Sequence, residues 1–222
     1  LLDNRFVVLR GRAGLELYEE LESASVGIRT LLGKPTPFVG RDREIGELEA
    51  LLIECVESQS ARSVLITAPS GMGKSRLAHE LMRKLRPAGE GDESTAGEPP
   101  SLPSAQVEIW FARGDSASSG STFNLLAQAL RRTAGIQEGE ALETRRDKLL
   151  ARVARHVAPA DRRWVSEFLG ELVGAPLPDE ESASLRAARQ DLNLMGEQMR
   201  RAWEAFLRAE LSSQPVLFII DD

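Results

Sequence analysis

The stretch VLITAPSGMGKSRLA, running from Val64 to Ala78, decides how the rest of the chain is read. Its first residues, Val64–Ala68, form a short continuous apolar run, the pattern of a strand buried on both faces of a parallel sheet. KSRLAHELMRKLR then continues as a helix that starts near Gly73. A strand, a tight glycine-rich turn and a helix opening at Gly73-Lys74-Ser75 gather backbone N–H groups that have no intrahelical partner. The helix dipole adds positive potential at the same point, so the turn favours an anionic phosphate. The prediction is an α/β fold with a parallel sheet and a phosphate-binding turn.

Residue types within the turn sharpen this into nucleotide chemistry. Gly71 and Gly73 allow backbone angles and close approaches that a side chain would block. Lys74 supplies a cation for the β- and γ-phosphates, and the Ser75 hydroxyl is a hard oxygen suited to Mg²⁺. The candidate nucleotide-binding residues are therefore Ala68, Pro69, Ser70, Gly71, Met72, Gly73, Lys74, Ser75 and Arg76, with Lys74 also assigned to catalysis. Ala68 stands where the usual phosphate-loop pattern has its first glycine. The work of that position is the strand-to-loop turn, where a methyl group is sterically tolerable. The competing reading is an ordinary strand–helix turn carrying an incidental Lys-Ser.

A second stretch, VLFIIDD, ends on Asp222. An apolar strand closing in two acids is an ordinary surface turn when taken alone. Beside a phosphate loop it has a role, because an acid at the end of a neighbouring strand reaches the Mg²⁺ shell in P-loop proteins. Asp221 is the candidate metal ligand. Asp222 is the candidate catalytic acid that polarises the attacking water, and its short side chain predicts slow turnover.

Composition narrows the classes. The 222 residues carry 28 Lys and Arg against 34 Asp and Glu, a net charge of −6 that argues against a broad nucleic-acid surface. The arginine pairs at 131–132, 145–146, 162–163 and 200–201 lie beside acids in helical patterns and read as solvated faces. One cysteine, Cys55, leaves no disulfide partner, so a reducing, cytoplasmic setting is expected. His79 and His156 have no cysteine cluster near them, which makes a metal site built on them improbable. No apolar run approaches the roughly 18 residues of a membrane span, so no membrane partner is expected. The first residues, LLDNRF, carry neither a Met start nor a secretory signal, and the chain is expected to be an excerpt of a longer protein.

Along the chain, RFVVL and GLELYEE flank the turn signal RGRAG and predict a hairpin within residues 1–33. LLGKPTPFVGRDRE follows as an extended connector, since the residue before each proline leaves the helical region. Apolar positions Ile45, Leu48, Leu51, Leu52 and Cys55 predict an amphipathic helix over Arg41–Glu57. Residues 87–105 are rich in Pro, Gly, Ser and Glu and predict a disordered loop. VEIWFA, starting at Val107, predicts a further strand, and Ser121 is a candidate N-cap for the next helix. Helices are expected over Glu140–Val157, Arg162–Val173 and about Leu185–Leu211, making 140–212 a helix-rich insertion.

Together TPFVGRDREIGELEALL, VLITAPSGMGKSRLAHEL and QPVLFIIDD resemble the AAA+-related signal-transduction ATPases known as the STAND class. The similarity is nearest to the ATPase modules of large bacterial multidomain regulators and covers residues 35–222. That resemblance implies a three-layer α/β/α P-loop NTPase fold with Walker A and Walker B motifs. It also implies that Val39, Gly40 and Arg41 lie near the nucleotide base, and that the role is an ATP-dependent switch. Implied partners are the nucleotide and other domains of the same polypeptide, including helical repeats and an effector domain, with ATP-dependent oligomerisation. In the family's sheet the fourth strand lies between the first and third. The segments for the first three are Val64–Thr67, Val107–Phe111 and Val216–Ile220, so an incomplete sheet is expected. Residues 1–33 faintly resemble the end of a nucleotide-cyclase domain and read equally well as a structured linker.

Three functional readings follow. The first is an ATP-binding switch that hydrolyses slowly with Mg²⁺. The second is a non-hydrolysing platform that binds ATP or ADP and docks partners on the 140–212 helices. The third is the regulatory part of a cyclase or protein kinase.

Overall fold

The structure, a computed structural model, describes residues 6–11, 14–19, 30–31, 34–35, 38–85, 107–114 and 123–221. Two units partition the chain, residues 1–86 and residues 87–222. The expected disordered loop at 87–105 and the candidate cap Ser121 lie outside the described residues.

In the first unit, β1 (Phe6–Gly11) and β2 (Gly14–Glu19) pair antiparallel with Gly11 opposite Gly14. This is the ladder that the RGRAG turn signal calls for. Within the connector, β3 (Thr30–Leu31) and β4 (Lys34–Pro35) form a two-rung antiparallel ladder. The amphipathic helix α1 spans Asp42–Ser58, with Arg41 at its N-cap and acidic Asp42 and Glu44 in its first turn. Those acids oppose the positive end of the helix dipole. Gln59 closes α1 in the left-handed region at φ 51. Helix α2 spans Lys74–Leu85 and buries Leu77, Leu81 and Leu85, one residue per helical turn on a single face. Glu80 is buried beside that face and held by Arg76 and Arg83, each at 2.8 Å. α1 packs on α2, and Lys84 of α2 meets Glu49 of α1 at 3.2 Å.

The strand expected at Val64–Thr67 is not formed. Between α1 and α2, residues 60–69 are irregular backbone, and Leu65 is 86% exposed. A strand is held by its ladder, and an apolar run becomes a buried strand only with neighbours on both edges and cover on both faces. Among the described residues nothing pairs with Val64–Thr67.

The second unit has the other two strands. β5 (Glu108–Arg113) and β6 (Val216–Asp221) pair in parallel, with Trp110 opposite Phe218 and Arg113 opposite Asp221. Five helices pack around them: α3 (Asn124–Thr133), α4 (Leu142–His156), α5 (Arg162–Val173), α6 (Ala183–Gln190) and α7 (Leu192–Leu211). The single long helix expected over Leu185–Leu211 is two. Asp191 leaves the helical region at φ −134 and ψ 110, and its carboxylate accepts from Asn193 N at 2.9 Å and Leu194 N at 3.3 Å. An aspartate that caps the following helix competes with continuation of the preceding one.

Trp110 on β5 centres the core of this unit. Its ring stacks on Phe206 of α7 at 5.8 Å and meets Trp203 edge-on at 5.5 Å. Phe168, Leu169, Leu149 and Leu185 are fully buried around them. Such a core fixes the strand register through large rings whose displacement by one residue would turn the apolar face outward.

Candidate functional site

The phosphate loop is built on the first unit. Gly71 and Gly73 adopt φ values of 80 and 84, so both require the left-handed region that glycine enters without strain. A Cβ on Gly71 would meet nothing within 4 Å, which makes the requirement at that position one of backbone angle. Met72, between them, donates its N–H to Pro69 O at 3.4 Å, and Leu77 N to Gly73 O at 3.0 Å begins the α2 ladder. Pro69, Ser70, Gly71 and Met72 are exposed, and Ala68 is half-buried. Lys74 opens α2, and its Nζ donates to Ala68 O at 3.0 Å, folding the cation back across the loop. Ser75 sits in the first helical turn. Arg76 is drawn along the helix to Glu80 at 2.8 Å.

Val39 is 79% exposed, and Gly40 turns the chain at φ 81. Arg41 then reaches across 31 positions of sequence to donate from Nη2 to Met72 O at 2.6 Å. Of these three residues, Arg41 is the one hydrogen-bonded to the phosphate loop.

The candidate acidic strand end is built on the second unit. Asp221 ends β6, is buried, and lies beside Arg113 at the matching end of β5, with Arg113 Nε 3.9 Å from Asp221 Oδ2. Gly114 N donates to Asp221 O at 2.6 Å. The Gln128 side chain of α3 clamps Arg113, accepting from its N–H at 3.1 Å and donating to its carbonyl at 3.0 Å. Arg132 lies over the Phe111 ring at 4.8 Å; burial, with Arg113 adding repulsion, pulls its guanidinium below the usual arginine value. Asp222 lies outside the described residues.

Arg113 and Gln128 were not expected from the sequence. One signal for Arg113 was present, since carboxyl ends of parallel strands are where α/β sheets place ligands. Gln128 carried none, because its role depends on how α3 packs on β5. Among the described residues no three His, Cys, Asp or Glu side chains group to hold a metal ion.

A family model described as the AAA ATPase domain matches residues 37–222. The chain belongs to this family. No curated relative and no solved structure matched the chain. Membership makes residues 37–222 an AAA ATPase domain, an AAA+-like P-loop module, and points to nucleotide binding. The helix-rich architecture with a small parallel sheet fits that α/β class. The Ser75 hydroxyl and the Asp221 carboxylate, taken one at a time, are hard oxygens of the kind Mg²⁺ takes. No helix among the described residues is long and apolar enough to cross a membrane.

Proposed function

We propose that this AAA ATPase domain binds ATP on the Ala68–Arg76 loop, hydrolyses it slowly to ADP, and acts as a conformational switch. The observation that carries the reading is Lys74, whose ammonium lies at Ala68 O across a loop bent by two positive-φ glycines at the start of α2. Phosphate oxygens offer that ammonium a stronger, charged acceptor than a backbone carbonyl, and the loop amides and helix dipole add to the same attraction. Ser75 and Asp221 are the residues that would hold Mg²⁺, which when bound neutralises phosphate charge. Asp222 polarises the attacking water. The wider setting is a STAND-class module of a bacterial, cytoplasmic signalling protein, partnered by other domains of its polypeptide and assembling in response to ATP.

Single-turnover hydrolysis by the intact protein with Mg²⁺ tests the switch reading. Slow ADP formation by the wild type, reduced at least tenfold in Asp222→Asn, is the expected result, one decade for each 1.4 kcal/mol lost from transition-state stabilisation. ATP binding with no turnover in the wild type would replace the switch with a non-hydrolysing platform.

A further inference from the structure

Resting on the nucleotide reading above, we propose that Arg41 is a positioning residue that holds the phosphate loop in its binding shape through the Met72 carbonyl. Its place outside the loop is what gives it leverage. Arg41 is the N-cap of α1, and its own carbonyl accepts the first helical bond, from Ile45 N at 3.1 Å. Ile45, one turn further on, is 2% exposed, and α1 packs on α2. The guanidinium therefore extends from an anchored helix end to a loop whose own residues, Pro69 to Met72, are exposed.

The bond to Met72 O at 2.6 Å is short and charge-assisted. It reads backbone, since the acceptor is the main-chain carbonyl and not the Met72 side chain. Met72 lies between Gly71 and Gly73, the two residues of the loop with the widest conformational choice. Fixing the carbonyl between them removes freedom that phosphate binding would otherwise have to remove, so the affinity reflects a loop already ordered. The Met72 N–H bond to Pro69 O, at 3.4 Å, is long, and Lys74 Nζ meets the loop at Ala68 O; Arg41 is the side chain that holds the carbonyl between the two glycines.

This role differs from contact with the base, and the two separate by experiment. Arg41→Ala is compared with the wild type by calorimetry using ATP, inorganic tripolyphosphate and adenosine, and by amide exchange across Gly71–Ser75 without nucleotide. Loop positioning predicts about a tenfold loss for ATP and tripolyphosphate alike, the scale of one charged hydrogen bond. It also predicts faster exchange in the nucleotide-free protein, with partial recovery of both in Arg41→Lys, which keeps a donor for the carbonyl. If Arg41→Ala fails to fold, Arg41→Lys and Arg41→Gln carry the same comparison. A loss confined to ATP, with tripolyphosphate unchanged, would overturn the role in favour of a base contact. Unaltered exchange in the free protein would overturn it in favour of direct phosphate contact. A wild type that binds neither ATP nor tripolyphosphate would overturn the nucleotide reading, and this role with it, whatever the exchange data show.

Discussion

At Gly170, within α5, the absence of a side chain is a packing requirement. A Cβ there would lie 2.7 Å from Ala175 O and 2.7 Å from Leu177 Cδ1, where the chain turns back after Gly174. The Gly170 carbonyl also accepts from Ala175 N at 2.8 Å, so the turn cannot retreat without losing that bond. Two effects oppose each other in Gly170→Ala. Helix propensity favours alanine by about 1 kcal/mol, while overpacking against fixed backbone costs about 1–3 kcal/mol. With a backbone oxygen at 2.7 Å the second wins, and denaturant unfolding is expected to show a net loss of up to about 2 kcal/mol. The residues of the loop were legible in sequence for the opposite reason. Gly71, Gly73, Lys74 and Ser75 carry their chemistry in residue type and local spacing, whereas the demand on Gly170 comes from a turn that folds back on it. Arg41 shows the limit of local reading: only the family resemblance made it a candidate, near the base, and the Met72 carbonyl it holds is 31 positions away.

Among elements, β5 and β6 were legible because each is an apolar run with a partner in the same unit. Val64–Thr67 has the same composition and no ladder among the described residues, so it is not a strand. Apolar content marks a segment that can become a strand, and pairing decides whether it does. The helix break at Asp191 was hidden because the apolar periodicity runs across it while the capping carboxylate acts on only two amides. A buried ionic group ties β5, α4 and α7 together and left no trace in pattern. Arg152, 2% exposed, reaches Glu108 and Glu210 at 2.6 Å each, and Glu210 is completely buried. His156, hydrogen-bonded to Ser213 Oγ at 2.8 Å, stands 3.9 Å from Glu210. Burial pushes the Glu210 carboxyl above the ordinary range; Arg152 pulls it back, Glu108 adds to the rise, and His156 and Arg155 oppose it. A folded pKa above the unfolded one means that the native state binds the proton more tightly, so this stabilisation is full below about 4.3. It is lost as pH rises through the folded value. Glu210→Gln removes that term, so its stability relative to wild type should rise between pH 4 and pH 7. Urea midpoints across that range measure it; a relative stability that does not vary with pH would rule out the raised carboxyl.

For the whole chain, the phosphate loop belongs to residues 1–86 and the strand end at Asp221 to residues 87–222. The family assignment spans both, covering residues 37–222. Each was picked out in the sequence as a short local pattern of residue types. Residues supporting them from other elements, Arg41 for the loop and Gln128 for the Arg113 backbone, act at the level of tertiary structure. In the function proposed above, the loop from Ala68 to Arg76 binds nucleotide phosphate through Lys74. Calorimetric titration of ATP with Mg²⁺ into the intact wild type and into Lys74→Ala tests it most directly, with thermal melting to compare their folds. Saturable binding by the wild type, and none by a Lys74→Ala variant that melts as the wild type does, is the predicted result. Equal ATP affinity in the two proteins would rule out that role for Lys74.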